Sequence, residues 1–571
     1  GYKAAVVFGV TYALSGLFIG NAQHLTWVIT MAWMPLIILY FKNLLEQPGL
    51  QNAIGFSLFS YLGLTGGYPG FFIILFYFFT IYALWYFIIF NKAKISIAKP
   101  TVLFLIISGA LFLLLSCGYL YSFVQSLPYI TRGKPVDLVE AYHNPLSLKA
   151  MVSFLFPFAT TCSSVNLGTD ISMANAYCGF LLLPLLVIAI AKVNMDGFRI
   201  AMILFAIICL MASAGEHLMV TALLYKFLPG LNMIRQASIY RAFAIFGFVF
   251  FSALGFDWIL GALKERQHLP FTRKILLTYF FLLIAIVAFA LLKKETHFAF
   301  PFSSEAIATF NKQQDVYSHI LLQAVGQLFL LGAILIALQL KVSPKIKAWT
   351  LSSMLIIEIF TATQLNLPAT VISENKPAVL QATLNKMPKG FPVPELKPMN
   401  SFHQLGDGST VPIWYNVSFF KKIPAVDGLN HFYLQQVDSF YDEADSGAAL
   451  LKKPIIFFDN DSVAFHLTRF EPNTIEVRYE SAGPTSITVM QNYYPGWHAW
   501  CDSSQLSINK VEHVFMHSIL PAGNHTVQFS YQPGSLPFLY TFNLFAVALV
   551  CLLLVLLSFA GLKNGAFSQK S

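Results

Sequence analysis

The stretch FFIILFYFFTIYALWYFIIF, residues 71–90, contains no charged residue. A helix rises about 1.5 Å per residue, so this run is ~30 Å long, which is the thickness of a bilayer's hydrocarbon core. An element that is apolar on every side has no place on the surface of a soluble fold, so the run reads as a transmembrane helix. The whole chain has the same character. Of 571 residues, 56% are hydrophobic and only 11% charged, and the mean hydropathy is +0.64. These values exclude an ordinary soluble domain. The formal charge of +9 suits basic loops held against anionic lipid. No compact basic cluster stands apart from those loops, so a nucleic-acid partner is not expected.

Outward from 71–90, about twelve runs of the required kind occur. They lie at 4–20, 25–41, 50–66, 71–90, 101–120, 177–191, 200–214, 242–262, 275–292, 320–340, 348–364 and 537–561. The weakest are 50–66 and 177–191. Lysine and arginine in short loops set the orientation. NKAKISIAK (91–99), LKERQHLPFTRK (263–274) and KVSPKIK (341–347) are the basic stretches, with KVNMDGFR (192–199) and the tail after Lys563 milder. If the runs alternate, all of these share one side, the cytoplasm, and both ends of the chain lie there. GNAQH (20–24), GGYPG (66–70), the loops near 118–176 and 215–241 and the segment 365–536 fall outside. The expected organisation is a multi-helix membrane domain over 1–364, an extracytoplasmic domain over 365–536, and a last helix and short tail over 537–571.

Two segments depart from the helical pattern. The loop 118–176 contains LPYITRGKPVDLVEAYHNPLSLKAMVSFLFPF, whose apolar parts predict short helices along the outer interface. The segment 365–536 has ordinary polarity. Its first half, with MPKGFPVPELKPMN, reads as an extended linker into irregular structure. Its second half alternates as strands do in TIEVRYE, TSITVMQ, SQLSINK and HTVQFSY, separated by Gly, Pro and Asn turns. A β-sandwich-like domain before the last helix is expected there.

Few polar groups suggest chemistry. Of six cysteines, Cys162 and Cys178 lie where a disulfide is feasible, but scattered reduced thiols are the favoured reading. His513 and His517 in HVFMH are four residues apart on a strand, ~13 Å, too far to share a metal. Asp459 and Asp461 in FFDNDS read as a turn. Glu358 lies inside a predicted helix and faces the bundle, where an ionisable group is costly and a functional candidate by default. Nucleotide loops, nucleophile elbows, zinc-protease motifs and dinucleotide fingerprints are not seen.

NMIRQASIYR (232–241) is the more informative stretch. It follows the amphipathic HLMVTALLYKFLPGL and leads into the helix near Ala242. Arg235 and Arg241 are therefore expected at the outer membrane surface, at the depth of lipid phosphates. Arginine's planar fork suits such an anion, while snorkelling to ordinary headgroups is the simpler alternative.

Several motifs together resemble the YfhO family of bacterial membrane proteins. They are SGLFIGNAQH with MAWMPLIILYF, LPYITRG, the GEH…LPGLNMIRQASIYR segment, and QNYYPGWHAWCD…LPAGNHTVQFSYQP. The YPGW turn at Tyr494–Trp497 and the strand Gly523–Pro533 carry the closest likeness. That family is similar to GT-C membrane glycosyltransferases. The resemblance implies a protein of the bacterial cytoplasmic membrane that takes a sugar from a polyprenyl-phosphate carrier and passes it to an envelope glycan or polymer acceptor. The implied donor-phosphate contacts are Arg235, Arg241 and Arg132 of YITRG. His24, Tyr68 and Glu358 are the groups assigned to a pocket, with Tyr68 standing where relatives carry histidine. No metal ligand is assigned. The family's catalytic aspartate belongs on a first outer loop, whereas the first outer segment here, GNAQH, has no carboxylate. The catalytic loop and two helices are expected upstream of Gly1, and no catalytic residue is assigned. A lipid or glycan transporter and a non-catalytic envelope scaffold are the competing functions. For the scaffold, Trp497 and Trp500 could stack on sugars, although Trp497 fits better as a core anchor behind its turn.

Overall fold

The computed structural model describes residues 1–90, 95–161, 167–294, 315–372, 376–385, 422, 434–436, 450, 453–511 and 514–568. The chain divides into two compact units. One comprises 1–116, 135–372 and 546–571; the other comprises 117–134 and 373–545.

The first unit is helical. Among the described residues, nine helices are long and apolar enough to cross a membrane, so the chain is a multi-pass membrane protein by composition and length. Each predicted apolar run contains helix, but three fall short of the expected count of crossings. Leu50–Thr65 has 16 residues, Leu182–Lys192 has 11 and Gly197–Ser213 has 17. At ~1.5 Å per residue these reach only about 24, 16 and 26 Å. The run 177–191 is short because its first residues are extended and turn structure, with Gly179 at φ +97°. The first run is also broken: Tyr2–Ala13 and Gly16–Gly20 are separate helices. Conversely, the run at 101–120 lies within Ile95–Ser126 and the one at 348–364 within Pro344–Thr370, so the predicted loop and domain boundaries at 118 and 365 lie inside helices.

Arg241–Lys264 is the central helix, with buried residues on every side. Two glycines let neighbours approach it closely. A Cβ on Gly247 would stand 2.5 Å from the Ala206 Cβ, and one on Gly255 would stand 2.2 Å from the Leu185 carbonyl oxygen. Small residues at helix contacts are the usual means of packing where water cannot drive association. Pro270–Lys293, by contrast, presents exposed Phe281, Leu282 and Phe289, as a lipid-facing helix does. The loop 118–176 forms short helical pieces, including Leu138–Ala141, Ala150–Phe154, Pro157–Thr161 and Ile171–Ala174.

The second unit holds two antiparallel sheets. The strands are β1 Ile456–Phe458, β2 Ala464–Glu471, β3 Thr474–Ser481, β4 Thr485–Asn492, β5 Trp497–Cys501, β6 Ser504–Leu506, β7 Asn509–Val511, β8 Phe515–Leu520 and β9 Gly523–Tyr531. One sheet runs β1-β4-β8-β7 and the other β2-β3-β9-β5-β6. Ile487, Val489 and Met516 of the first sheet share one core with Val477, Tyr479, Trp497 and Phe529 of the second. The domain is therefore a sandwich, as the alternation predicts. In β3, Ile475, Val477 and Tyr479 point inward while Glu476, Arg478 and Glu480 point out. SQLSINK is not one strand. The chain changes sheets at Ser507–Ile508, so β6 pairs with β5 and β7 with β8. Trp497 is a buried core anchor. Gly496 makes its turn possible: its φ is +110°, and a Cβ there would meet the Tyr531 ring at 2.9 Å. The linker MPKGFPVPELKPMN, His513 and Cys162 lie outside the described residues. Cys178 is a buried free thiol.

Candidate functional site

The loops 135–176 and 215–241 are laced together by backbone hydrogen bonds. Val136 N–H donates to the Asn232 carbonyl at 3.0 Å, and Ala237 N–H donates to the His143 carbonyl at 3.2 Å. The Tyr225 hydroxyl donates to the Val136 carbonyl at 2.6 Å. These bonds set the short helix Leu138–Ala141 beside the extended residues Ile234–Gln236. The helix is N-capped by Asp137, whose carboxylate accepts from the Glu140 amide at 2.7 Å.

Arg235 and Glu140 meet in this frame. Arg235 Nη1 donates to Glu140 Oε1 at 2.6 Å, and their side chains are 28% and 34% exposed. The guanidinium thus remains open to a second anion, and its present partner is a carboxylate with one oxygen to spare.

Arg241 has different surroundings. It is fully buried. Nη2 donates to the Ser172 carbonyl at 2.6 Å, Nε to Asn175 at 3.2 Å and Nη1 to Ser238 at 3.3 Å. The Met173 sulfur lies 3.4 Å from Nη1. Buried irregular backbone has carbonyls that need donors, and Arg241 supplies them to the segment 172–175. The expected two-arginine clamp is therefore divided: Arg241 ties backbone, and Arg235 stays partly exposed beside Glu140. Arg132 lies half-buried in the turn Thr131–Gly133, in the unit that carries the sandwich.

His24 and Tyr68 come together across Trp27. The His24 and Trp27 ring centroids are 5.5 Å apart, those of Trp27 and Tyr68 6.0 Å. Tyr68 N–H donates to Thr30 Oγ1 at 2.9 Å. Glu358 belongs to another cluster. It is buried and accepts a hydrogen bond from the Tyr177 hydroxyl, with the Gln327 side chain and the Phe180 amide also directed at it.

Gln327 ends a stripe that the sequence reading did not single out. The N-cap Asp315 is followed at four-residue intervals by His319, Gln323 and Gln327 of Val316–Gln339, and all four are buried. The stripe serves backbone. Gln323 Oε1 accepts from the Phe158 amide at 3.1 Å, and Gln327 Nε2 donates to the Leu155 carbonyl at 2.8 Å. Its spacing was visible in the sequence; Glu140, one carboxylate in a mixed loop, gave no such signal.

In the sandwich, Asp459 acts as the turn reading expects. It accepts from Thr485 Oγ1 at 2.6 Å and the Ser486 amide at 2.9 Å, and these bonds hold its carboxyl below the ordinary range. Cys501, Asp502 and His525 are close enough to suggest a metal centre, but their polar atoms are already engaged. Asp502 accepts from the Thr526 amide at 3.0 Å and from His525 Nδ1 at 2.7 Å, while His525 Nε2 faces the Ala522 carbonyl at 3.0 Å. The arrangement locks the β5–β6 turn to β9.

In comparisons with known proteins, no family model, curated protein or solved structure matches the chain.

Proposed function

We propose that the chain is a GT-C-like glycosyltransferase of the YfhO kind. It would use a polyprenyl-phosphate-linked sugar and an envelope acceptor. The observation that carries this reading is the accessible Arg235–Glu140 pair. It joins the two groups the chemistry needs: a planar cation for a leaving phosphate and a carboxylate for a hydroxyl proton. In this scheme the donor phosphate takes Arg235 from Glu140. The acceptor oxygen attacks the anomeric carbon, the bond from that carbon to the phosphate oxygen breaks, and the hydroxyl proton passes to Glu140. Polyprenyl phosphate leaves with both electrons of the broken bond, held by Arg235. Glu140 is thus a candidate for the carboxylate that the resemblance implies.

The topology that accompanies this reading treats the short helices Leu50–Thr65, Leu182–Lys192 and Gly197–Ser213 as partial crossings between the nine long ones found among the described residues. The lysine-rich stretches then share the cytoplasmic side of a bacterial membrane, with the sandwich outside.

The test is sugar transfer by the full-length protein in liposomes containing polyprenyl-phosphate sugar. Glu140→Gln should abolish transfer and keep the donor bound; Arg235→Ala should weaken donor binding about 10–150-fold. Transfer by Glu140→Gln at the wild-type rate would remove Glu140 as the base. Donor binding untouched by Arg235→Ala would remove the phosphate role. A wild-type protein that binds the donor and never transfers sugar would favour transport.

A further inference from the structure

The opposite ends of the helices carry a second feature, in the same helical unit but outside the site above. A groove of about 1240 Å³ opens between the loop after Arg241–Lys264 and the loop that joins Val316–Gln339 to Pro344–Thr370. Arg266, Arg273, Lys274, Lys341 and Lys347 line it, with His268 beside them. No carboxylate is among the lining residues. Glu265, the nearest acid in sequence, accepts a hydrogen bond from Gln267 Nε2 at 2.5 Å. Lys347 Nζ donates to the Leu338 carbonyl at 2.8 Å. The other four cations have no ion-pair partner among the described residues.

Two further facts specify what the groove fits. Pro270 and Pro344, the first residues of two long helices, both line it, so the positive ends of both helix dipoles add to the side-chain charge. The groove is also only half polar. Its floor includes Leu277, Phe281 and Leu335, and Phe281 is 65% exposed on a helix with the composition of a membrane span. Cations at the helix ends above an apolar, lipid-facing wall match a phosphate headgroup above acyl chains. A free anion would have no use for the wall, and a neutral lipid none for four unpaired cations.

We infer that this groove binds an anionic phospholipid, with a headgroup bearing two phosphates preferred over one bearing a single phosphate. The phosphates sit among Arg266, Arg273, Lys274 and Lys341, and an acyl chain follows Leu277 and Phe281. The lipid thereby pins Pro270–Lys293 to Val316–Gln339 at their ends. This inference is independent of the glycosyltransferase proposal, since it uses none of the same residues.

The experiment purifies the full chain from phosphatidylcholine vesicles doped with cardiolipin or phosphatidylglycerol and counts retained lipid by native mass spectrometry. Cardiolipin should be retained first, phosphatidylglycerol less, and added inorganic phosphate should displace neither. The triple variant Arg273→Gln, Lys274→Gln, Lys341→Gln should weaken cardiolipin retention about a hundredfold. An unchanged melting temperature in phosphatidylcholine would show that the variant folds; if it does not fold, Lys341→Gln alone should still show about a fivefold loss. Equal retention of phosphatidylcholine, displacement by free phosphate, or loss below about threefold in the folded triple variant would each overturn the inference.

Discussion

The Tyr177 hydroxyl donates to the Glu358 carboxylate inside the helical unit, joining an extended segment to the helix Pro344–Thr370 across 181 residues of chain. Both side chains are buried. Removing the donor while the acceptor stays leaves a desolvated oxygen short of a partner. Tyr177→Phe should therefore destabilise the protein by about 1–3 kcal/mol, read as a lower melting temperature in detergent. Tyr177→Phe combined with Glu358→Leu should cost less than the sum of the two single changes, because no orphan remains. Additive losses would mean that the two groups do not act as a pair.

Arg235 and Arg241 should separate by phenotype. Arg241→Ala strips donors from the Ser172, Asn175 and Ser238 carbonyls and empties a fully buried site. A loss of about 3 kcal/mol or more is expected. Lysine, with one short-ranged ammonium, should restore little of it. Arg235→Ala breaks a partly exposed pair and should cost about 1 kcal/mol or less. Matching melting temperatures for the two alanine variants would contradict this division of roles.

These cases show where sequence reasoning reaches. The run at 71–90 and the alternation of TIEVRYE report physical needs that each residue meets alone, burial in lipid or on one sheet face. Helix and strand follow from them directly. Arg241 is another matter. An arginine six residues after Arg235 looks the same whether it meets a phosphate or three backbone carbonyls, and only the fold of 172–175 decides. The same limit hid the sheet change within SQLSINK: polar alternation continues through Ser507, and the pairing partners β5 and β8 lie elsewhere in the chain. The three short helices escaped for a related reason. Hydropathy marks apolar composition, while the start of Leu182–Lys192 is set by turns around Gly179.

The Asp502–His525 pair gives the sandwich a pH window. Asp502 is held below its ordinary value of 3.8, chiefly by the Thr526 amide and then by His525. Its contribution is present above 3.8 and is lost as the pH falls through the lower folded value. His525 is raised above 6.5, first by Asp502 and then by the Ala522 carbonyl. Its contribution is complete below 6.5 and is lost as the pH rises through the higher folded value. The advantage of wild type over His525→Gln in thermal unfolding should therefore be greatest between pH 3.8 and 6.5. A difference that stays flat from acid to alkaline pH would count against the charged pair.

Gly16 tests whether the segment 172–177 is the centre on which the helical unit depends. Ser172 and Asn175 give their carbonyls to Arg241, and the Asn175 side chain turns back to accept from the Tyr177 amide at 3.0 Å. The Tyr177 hydroxyl reaches Glu358, while the Tyr177 carbonyl accepts from the Gly16 amide at 2.7 Å. This last bond requires the start of Gly16–Gly20 to lie almost against the segment. A Cβ on Gly16 would stand 1.9 Å from Asn175 Oδ1 and 2.6 Å from the Tyr177 nitrogen. The Asn175 side chain could swing aside, at the expense of its own bond to Tyr177, but the backbone nitrogen could not move without disturbing Arg241 and Glu358. Gly16→Ala should accordingly destabilise by about 1–3 kcal/mol. Gly9, exposed and with nothing within 4 Å of its Cβ position, supplies the control: Gly9→Ala should stay within about 1 kcal/mol of wild type. Combined with Arg241→Ala, Gly16→Ala should lose less than the sum of the separate effects, because a segment already released by Arg241 can yield to the added methyl. If the two losses simply add, the contacts of 172–177 are independent and no shared centre exists.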